Sequence, residues 1–468
     1  MQINDDTICA MATPAGGAIS IVRISGSRSI AIADRIFRSA NGKPLSGADA
    51  YTLHYGTLVN AKGDTVDDVL VSIFRAPHSY TGEDAVEISC HGSRYIVEQI
   101  LRLLVQNNCR QARPGEFTQR AFLNGKMDLS QAEAVADLIA STNRATHQLA
   151  ISQLRGNFSS ELSQLREQLL KMTSLLELEL DFSDHEDLEF ADRQELLNLA
   201  QNIYRHLTEL AHSFSAGKAI KEGVSVAIVG KTNVGKSTLL NRLLHEERAI
   251  VSDIHGTTRD TIEDTTQING ITFRFIDTAG LRQTDNTIEQ IGISRTWQKL
   301  AEATIVIWMI DNEPTDDEIK EMTTHCKDKK LIIVRNKIDD EQNVNIQEGT
   351  SRQTNKFQIT NPQFQVIRIS AKYNLNIDAL ETALYEAGDI PEIKENDIIV
   401  TNARHFEALQ RAAESIHHVI NGLSVHLPGD LLSEDLRHTL HVLAEITGGE
   451  ITPDETLSNI FKHFCIGK

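Results

Sequence analysis

The stretch from Val224 to Leu240, VSVAIVGKTNVGKSTLL, constrains this chain more than any other. An unbroken apolar run leads directly into GKTNVGKS, Gly230 to Ser237, a phosphate-loop spacing that requires a strand before it and a helix after it. The glycines let backbone N–H groups turn inward around a β-phosphate. Lys236 neutralises the β- and γ-oxygens, and Ser237 ligates Mg²⁺. A strand apolar along its whole length is buried on both faces, as in a parallel sheet with helices on either side.

Four more runs of that kind follow: FRFIDT, TIVIWMI, LIIVRN and QVIRIS. Alternating with helical text, they predict a doubly wound α/β domain over residues 221–385. The ends of these strands carry the other parts of a nucleotide site. NKID, Asn336 to Asp339, ends one strand, and the Asp339 carboxylate can accept both the N1–H and the 2-amino hydrogens of guanine. Adenine has no such donor pair, so GTP is selected over ATP. SAK, Ser370 to Lys372, ends the next and can offer the Ala371 amide to guanine O6. GTTRD, Gly256 to Asp260, falls where a first switch belongs, with Thr258 as second Mg²⁺ ligand, and Asp277 and Gly280 of DTAG serve metal and γ-phosphate. The residue after Gly280 is Leu281, which cannot orient a water. Arg259, Asp260, Arg282, Asp285 and Glu289 are all polar neighbours, and the pattern does not choose among them.

The flanking text differs. Residues 1–124 alternate in short β-like runs, AISIVRISG, YTLHYGTLV, DVLVSIFRA and DAVEISCHG, then give the helical RYIVEQILRLLVQ, which together predict an α+β domain. From residue 128 the period becomes helical. Ser130 with Glu133 reads as a capping box, with Leu129, Ala132, Ala136 and Ile139 on one face, and Leu154, Phe158, Leu162, Leu165, Leu169, Met172 and Leu176 form a second stripe. DFSDHEDLEF reads as a solvated loop. Helical spacing returns after residue 385 with Phe406, Leu409, Ala413, Ile416 and Ile420, then Leu432, Leu436, Leu440 and Leu443. An α/β domain inserted into a discontinuous helical one is the economical reading.

With 46 basic and 65 acidic residues the formal net charge is −19, which opposes a free-standing grip on nucleic acid. Five scattered cysteines, Cys9, Cys90, Cys109, Cys326 and Cys465, fit reduced thiols rather than a disulfide scaffold. The N-terminal text has no signal-peptide pattern, and ATIVIWMI is too short to cross a bilayer, so a cytoplasmic protein without a membrane partner is expected.

RPGEFTQRAFLNGKMDLSQAEAVADLI at 113–139, SYTGEDAVEISCHG at 79–92, NARH at 402–405 and FCIGK at 464–468 resemble, in order and spacing, the MnmE (TrmE) family of tRNA-modification GTPases, over essentially the whole chain. The resemblance implies an N-terminal folate-binding domain at 1–124 that also makes a homodimer, a helical domain at 125–220 and 386–468 ending in a CxGK motif, and an inserted Ras-like G domain at 221–385. It implies work with the FAD-dependent partner MnmG (GidA), in a heterotetramer or larger complex that supplies most of the tRNA contact. The reaction implied adds a carboxymethylaminomethyl or aminomethyl group to C5 of the wobble uridine of certain tRNAs, with 5-formyltetrahydrofolate or 5,10-methylenetetrahydrofolate as one-carbon donor.

Carried over residue by residue, the resemblance assigns GTP contacts to Asn233, Val234, Gly235, Lys236, Ser237 and Thr238, to Ser252, Asp253, Ile254, His255, Gly256, Thr257 and Thr258, to Asp277, Thr278, Ala279 and Gly280, to Asn336, Lys337, Ile338 and Asp339, and to Ser370, Ala371 and Lys372. It assigns K⁺ to Asn233, Ser252, Ile254 and Thr257, Mg²⁺ to Ser237 and Thr258, and catalysis to Lys236 and to Glu289 as the residue that positions water. Ser252 stands where the family often has threonine. Folate falls to Arg23, Glu87, Lys126 and Lys468, with Cys465 nearby; without the resemblance each of the four would be an ordinary surface ion pair. Two rivals are a GTPase switch of ribosome assembly, disfavoured by the acidic composition, and a folate-dependent aminomethyltransferase that merely carries a G domain.

Overall fold

The computed structural model describes residues 6–14, 16–181, 193–244, 264–276, 302–339, 365–391 and 397–449, with 457, 460–462, 464 and 467 near the C-terminus. Two compact units divide the chain. One comprises Met1–Ala140, Ala150–Thr208 and Glu407–Lys468, and the other Ser141–Leu149 and Glu209–Phe406.

The first unit opens with a seven-stranded sheet ordered β3-β4-β5-β6-β2-β1-β7, from β1 (Thr7–Met11), β2 (Ile19–Ser25), β3 (Phe37–Ser39), β4 (Thr52–Val59), β5 (Thr65–Phe74), β6 (Ala85–His91) and β7 (Cys109–Gln111). All pairs are antiparallel except β1 with β7. Period-two alternation turns Val22, Ile24, Val69, Val71, Ile73, Val86 and Ile88 to one face, where α1 (Ser29–Ile36) and α2 (Arg94–Gln106) cover them with Ile32, Ile36, Ile100 and Leu104. The opposite face carries Leu53, Ser72, Glu87 and Arg23 in one row across four strands, set by the pairings Leu53 with Ser72, Ser72 with Glu87 and Glu87 with Arg23.

Helices α3 (Glu116–Leu123), α4 (Leu129–Ala140), α6 (Asn157–Asp181) and α13 (Gly429–Thr447), with most of α7 (Arg193–His212) and α12 (Ala403–Ser424), belong to that unit, and α6 packs along α13; α8 (Phe214–Glu222) belongs to the other. The α6 stripe is buried as its spacing predicts from Phe158 and Leu162 through Leu176, but Leu154, only half-buried, ends the preceding helix α5 (Arg144–Leu154), because a turn at Arg155 and Gly156 separates the two. Two expectations for α4 are corrected. The box is made by Asp128 and Gln131: Gln131 N donates to Asp128 Oδ1 and Asp128 N to Gln131 Oε1, both at 2.9 Å. Ser130, already inside the helix, donates to Asp128 Oδ1, because Asp128 sits one position ahead of the first helical residue and the capping side chain must come from there. The apolar face ends early: Leu129 and Ala132 are buried, whereas Ile139 is exposed.

The second unit is built on a six-stranded sheet ordered β13-β12-β11-β8-β10-β9. It contains β8 (Val224–Gly230), β9 (Asp264–Ile268), β10 (Ile271–Phe275), β11 (Ile305–Ile310), β12 (Lys330–Arg335) and β13 (Gln365–Arg368). Every pairing is parallel except β9 with β10. The five apolar runs are these parallel strands; β9, DTTQI, is an edge strand too polar to show as a buried run. Both faces are covered. Val226, Ile228, Ile305, Ile307 and Met309 meet residues of α9 (Lys236–Leu243) and α11 (Ile377–Ala387), and Val229, Val306, Trp308 and Ile310 meet Met322 of α10 (Asp316–His325). Sequence order reverses at β8, so the carboxyl ends of β8 and β11 flank the crevice where open α/β sheets bind ligands.

Candidate guanine nucleotide site

The phosphate loop leaves β8 at that crevice. Gly230 has φ +151°, and a Cβ there would strike the Met309 carbonyl on the neighbouring strand, while Gly235 has φ +100°, and a Cβ would strike the Asn336 side-chain amide. Neither position tolerates a side chain. Asn233, also left-handed at φ +64°, tightens the turn between them, and its side chain is exposed without a hydrogen bond among the described residues. Gly235 is the residue immediately before α9, so Lys236 and Ser237 stand at the positive end of that helix dipole.

Lys236 is half-buried. Its ammonium donates to the carbonyls of Gly230 (2.9 Å) and Lys231 (2.7 Å), and burial depresses its pKa. Among the described residues it has no carboxylate partner, and the half-buried cation meets loop carbonyl dipoles there instead. That arrangement suits an incoming polyanion. Lys231, in the same loop, is instead satisfied by Glu318 at 2.6 Å on the first turn of α10.

Asn336, only 5% exposed, bridges the two halves of the site. Its Nδ2 donates to Val234 O in the phosphate loop (2.8 Å), and its Oδ1 accepts from Ala371 N (3.0 Å). Lys337 is left-handed at φ +66° and reaches Asp311 Oδ2 at 3.3 Å. Asp339 is oriented by the buried Ser370, whose hydroxyl donates to Asp339 Oδ1 at 2.6 Å. The 370–375 turn is closed by reciprocal backbone bonds between Ser370 and Leu375, and Ser370 Oγ also accepts from Tyr373 N. The segments 233–238, 336–339 and 370–372 therefore converge on one crevice. Residues 252–258 and 277–280, with Leu281 and Glu289, lie outside the described residues. Arg242 in α9, which grips the 370–372 turn from behind, belongs to no motif, and only its place one helical turn and a half past the loop hints at it.

In the first unit Arg23 and Glu87 are brought together. Arg23 Nε and Nη2 both contact Glu87 Oε1 at 2.8 Å, and Nη1 donates to Gly467 O at 3.4 Å. The guanidinium also sits 5.5 Å from the centre of the Tyr80 ring and 5.7 Å from that of Phe117, two residues the sequence reading did not single out. Tyr80 OH shares a 2.9 Å hydrogen bond with Thr118, and burial raises its pKa. Behind them Arg120 and Glu116, both buried, join Arg110, Asp6 and Glu83 in one ionic cluster. Lys126 Nζ donates to Pro77 O at 2.9 Å, on the loop that carries Tyr80. Gly467, at φ +94°, lies against the Met11 carbonyl where a Cβ has no room. Lys468 and Cys465 lie outside the described residues.

Among the described residues no helix is long and apolar enough to cross a membrane, and no group of histidine, cysteine and acidic side chains could hold a metal by itself.

A family model described as the MnmE helical domain matches residues 129–465, and one described as the GTP-binding protein TrmE N-terminus matches residues 7–126. The tRNA modification GTPase MnmE of Phocaeicola vulgatus is 54% identical over 504 residues, with 100% of both chains covered. Proteins of the same description from Bacteroides thetaiotaomicron and Bacteroides fragilis are each 55% identical, over 471 and 474 residues, again with 100% of both chains covered. Matches of this extent show that the chain belongs to the MnmE (TrmE) family of tRNA-modification GTPases.

Proposed function

We propose that this chain hydrolyses GTP in a K⁺-dependent manner and, with the partner MnmG, uses the resulting switch to modify C5 of the wobble uridine of certain tRNAs, a reduced folate supplying the one-carbon unit. The observation that carries the reading is the Asn336 bridge, which joins a phosphate loop to a guanine-reading pair, Asp339 and Ala371, in one crevice. GTP hydrolysis in tRNA modification is also the activity in the names of full-length relatives.

Lys236 and the N–H groups at the start of α9 would hold the β- and γ-phosphates, and Asp339 the base. Ser237 and Thr258 would hold Mg²⁺, and the side-chain carbonyl of Asn233, which has no hydrogen bond among the described residues, would offer one contact of a K⁺ shell with Ser252, Ile254 and Thr257. Such cations would supply positive charge to the developing charge on the phosphates, the role an arginine finger plays elsewhere. Glu289 is the residue assigned to hold the attacking water, which leaves Leu281 no part in the chemistry.

In the other unit, a guanidinium flanked by two rings and paired with Glu87 offers a flat hydrogen-bonding surface suited to a pterin, and Lys126 and Lys468 suit the carboxylates of a folate tail. The homodimer is supported by Tyr51, Leu53, Tyr55 and Leu70, large apolar side chains left exposed on β4 and β5 and the turn before them. A cytoplasmic site of action goes with the reduced thiols and the tRNA substrate.

Cells lacking the chain are complemented with wild type or with Lys236→Ala, and wobble-uridine modification is measured by nucleoside mass spectrometry. Restoration by wild type alone is expected. Full restoration by Lys236→Ala would refute a GTP-driven role.

A further inference from the structure

Two side chains of the described residues tie the phosphate half of the crevice to the base half. One is Asn336, inside a motif; the other is Arg242, outside all of them. Helix α9 begins at Lys236, and Arg242 lies on its last turn, so one short helix carries the phosphate lysine at one end and this arginine at the other. Arg242 Nε donates to Ala371 O at 3.1 Å and its Nη2 to Lys372 O at 3.0 Å. A guanidinium presents these donors in a fixed plane, matched to two successive carbonyls of one turn. A lysine ammonium at the same place could not hold both at a fixed spacing.

The turn gripped in this way is the one that sets Asp339. Ser370, one residue ahead of Ala371, donates to Asp339 Oδ1 at 2.6 Å and closes the turn through its backbone pairing with Leu375. The turn's inner side is fixed by Asn336 through Ala371 N, and its outer carbonyls by Arg242. Asn336 and Ser370 hold the turn through its N–H groups at Ala371 and Tyr373, whereas Arg242 holds it through its carbonyls, so without Arg242 the turn is tied to the base half alone and loses its tie to α9.

We propose that Arg242 is a positioning residue for guanine recognition. By tying the Ala371 and Lys372 carbonyls to α9, it fixes the height of the turn that orients the Asp339 carboxylate, so that discrimination of the base depends on it while the chemical step does not. The proposal rests on the reading of the crevice as a guanine nucleotide site.

The test uses the full-length chain and equilibrium binding of GDP and of inosine diphosphate, which lacks the 2-amino group that Asp339 reads, together with GTP turnover at saturation. Arg242→Ala is expected to raise the Kd for GDP about fivefold and that for inosine diphosphate much less, shrinking the preference about threefold, with kcat for GTP kept within about twofold. Arg242→Lys should fall between the two. Equal weakening of both nucleotides would overturn the proposal, because it would place Arg242 on the phosphate side. So would an unchanged preference, or a fall in kcat at constant KM. Should Arg242→Ala lower the hydrogen-exchange protection of β12 and β13 in the nucleotide-free chain, the Lys variant decides by the same ratio. A wild-type chain with no preference for GDP over inosine diphosphate would instead refute the guanine reading itself.

Discussion

Replacing Asn336 by alanine removes two hydrogen bonds at once and leaves their backbone partners behind. Val234 and Ala371 are 1% and 0% exposed, so neither Val234 O nor Ala371 N can turn to water. A buried backbone group left unpaired costs about 1 to 3 kcal/mol, which gives about 2 to 6 kcal/mol for the pair. That is a large fraction of the stability of one compact domain. A chain of two compact units does not unfold in a single step, so a single melting midpoint is the wrong readout. Hydrogen exchange followed peptide by peptide is the right one, with β8, β12 and β13 expected to lose protection in Asn336→Ala and β2, β5 and β6 serving as internal controls.

Asn336→Asp sharpens the test, since Oδ1 can still accept from Ala371 N while the second oxygen now faces Val234 O, acceptor against acceptor. Proton uptake relieves that conflict by creating a donor, so the folded-state pKa of the new carboxyl is raised. A raised carboxyl pKa gives stability that is present at acid pH and lost as pH rises through the folded value. The Asp variant should therefore be closer to wild type at mildly acid pH than at about pH 8. Wild-type exchange in Asn336→Ala, or a pH-independent Asn336→Asp, would refute the bridge as the element that joins the two halves.

Asp339→Asn should exchange a guanine preference for a xanthine one, read as competition between GTP and xanthosine triphosphate; an unchanged order would remove Asp339 from base reading. Hydrolysis in matched KCl and NaCl should differ strongly in favour of KCl, and Asn233→Ala should abolish that difference while Mg²⁺-dependent GDP binding survives; equal rates in the two salts would leave no role for a K⁺ shell. Burial raises the Glu116 pKa, but hydrogen bonds from Arg110 and the Arg113 backbone and the charges of Arg110 and Arg120 outweigh it, leaving the carboxyl at about 2, below its ordinary 4.5. Its contribution, up to about 3 kcal/mol, should thus be present above pH 4.5 and lost as pH falls toward 2, and an acid-unfolding curve of Glu116→Gln without that loss checks it. Arg23→Ala should weaken binding of 5-formyltetrahydrofolate by calorimetry and leave GTP turnover intact; unchanged affinity would exclude Arg23 from a folate site.

The phosphate loop and the five parallel strands were legible because each is specified locally, by glycines that must adopt positive φ and by apolar runs long enough to be buried on both faces. Edge strand β9 escaped notice because an edge needs only one apolar face, and DTTQI shows almost none. Strands β1, β3 and β7 are five, three and three residues long, too short for alternation to register. The capping box at residue 128 was misplaced by two positions because Ser130 and Asp128 are both good caps, and sequence does not say which is the last non-helical residue. Tyr80 and Phe117 were unreadable for another reason. Their relation to Arg23 is made by the loop between β5 and β6 and by α3, 57 and 94 residues further along the chain, which no local pattern encodes.

Net charge and site charge act at different ranges, and this decides how an acidic chain can work on tRNA. A polyphosphate chain tens of ångströms long experiences the summed field of a protein carrying −19, which disfavours approach at low salt. A nucleoside triphosphate is compact enough to enter one crevice, where the field is set by backbone N–H groups at the start of α9 and by a half-buried Lys236 with no carboxylate beside it among the described residues. Arg23 is the opposite case: Glu87 cancels its charge at 2.8 Å, leaving a planar donor surface between rings and little attraction for a phosphate backbone. The charge distribution therefore favours GTP in the crevice over free tRNA on the surface. This supports the proposal that a partner with a basic surface, MnmG in that reading, supplies the grip on tRNA.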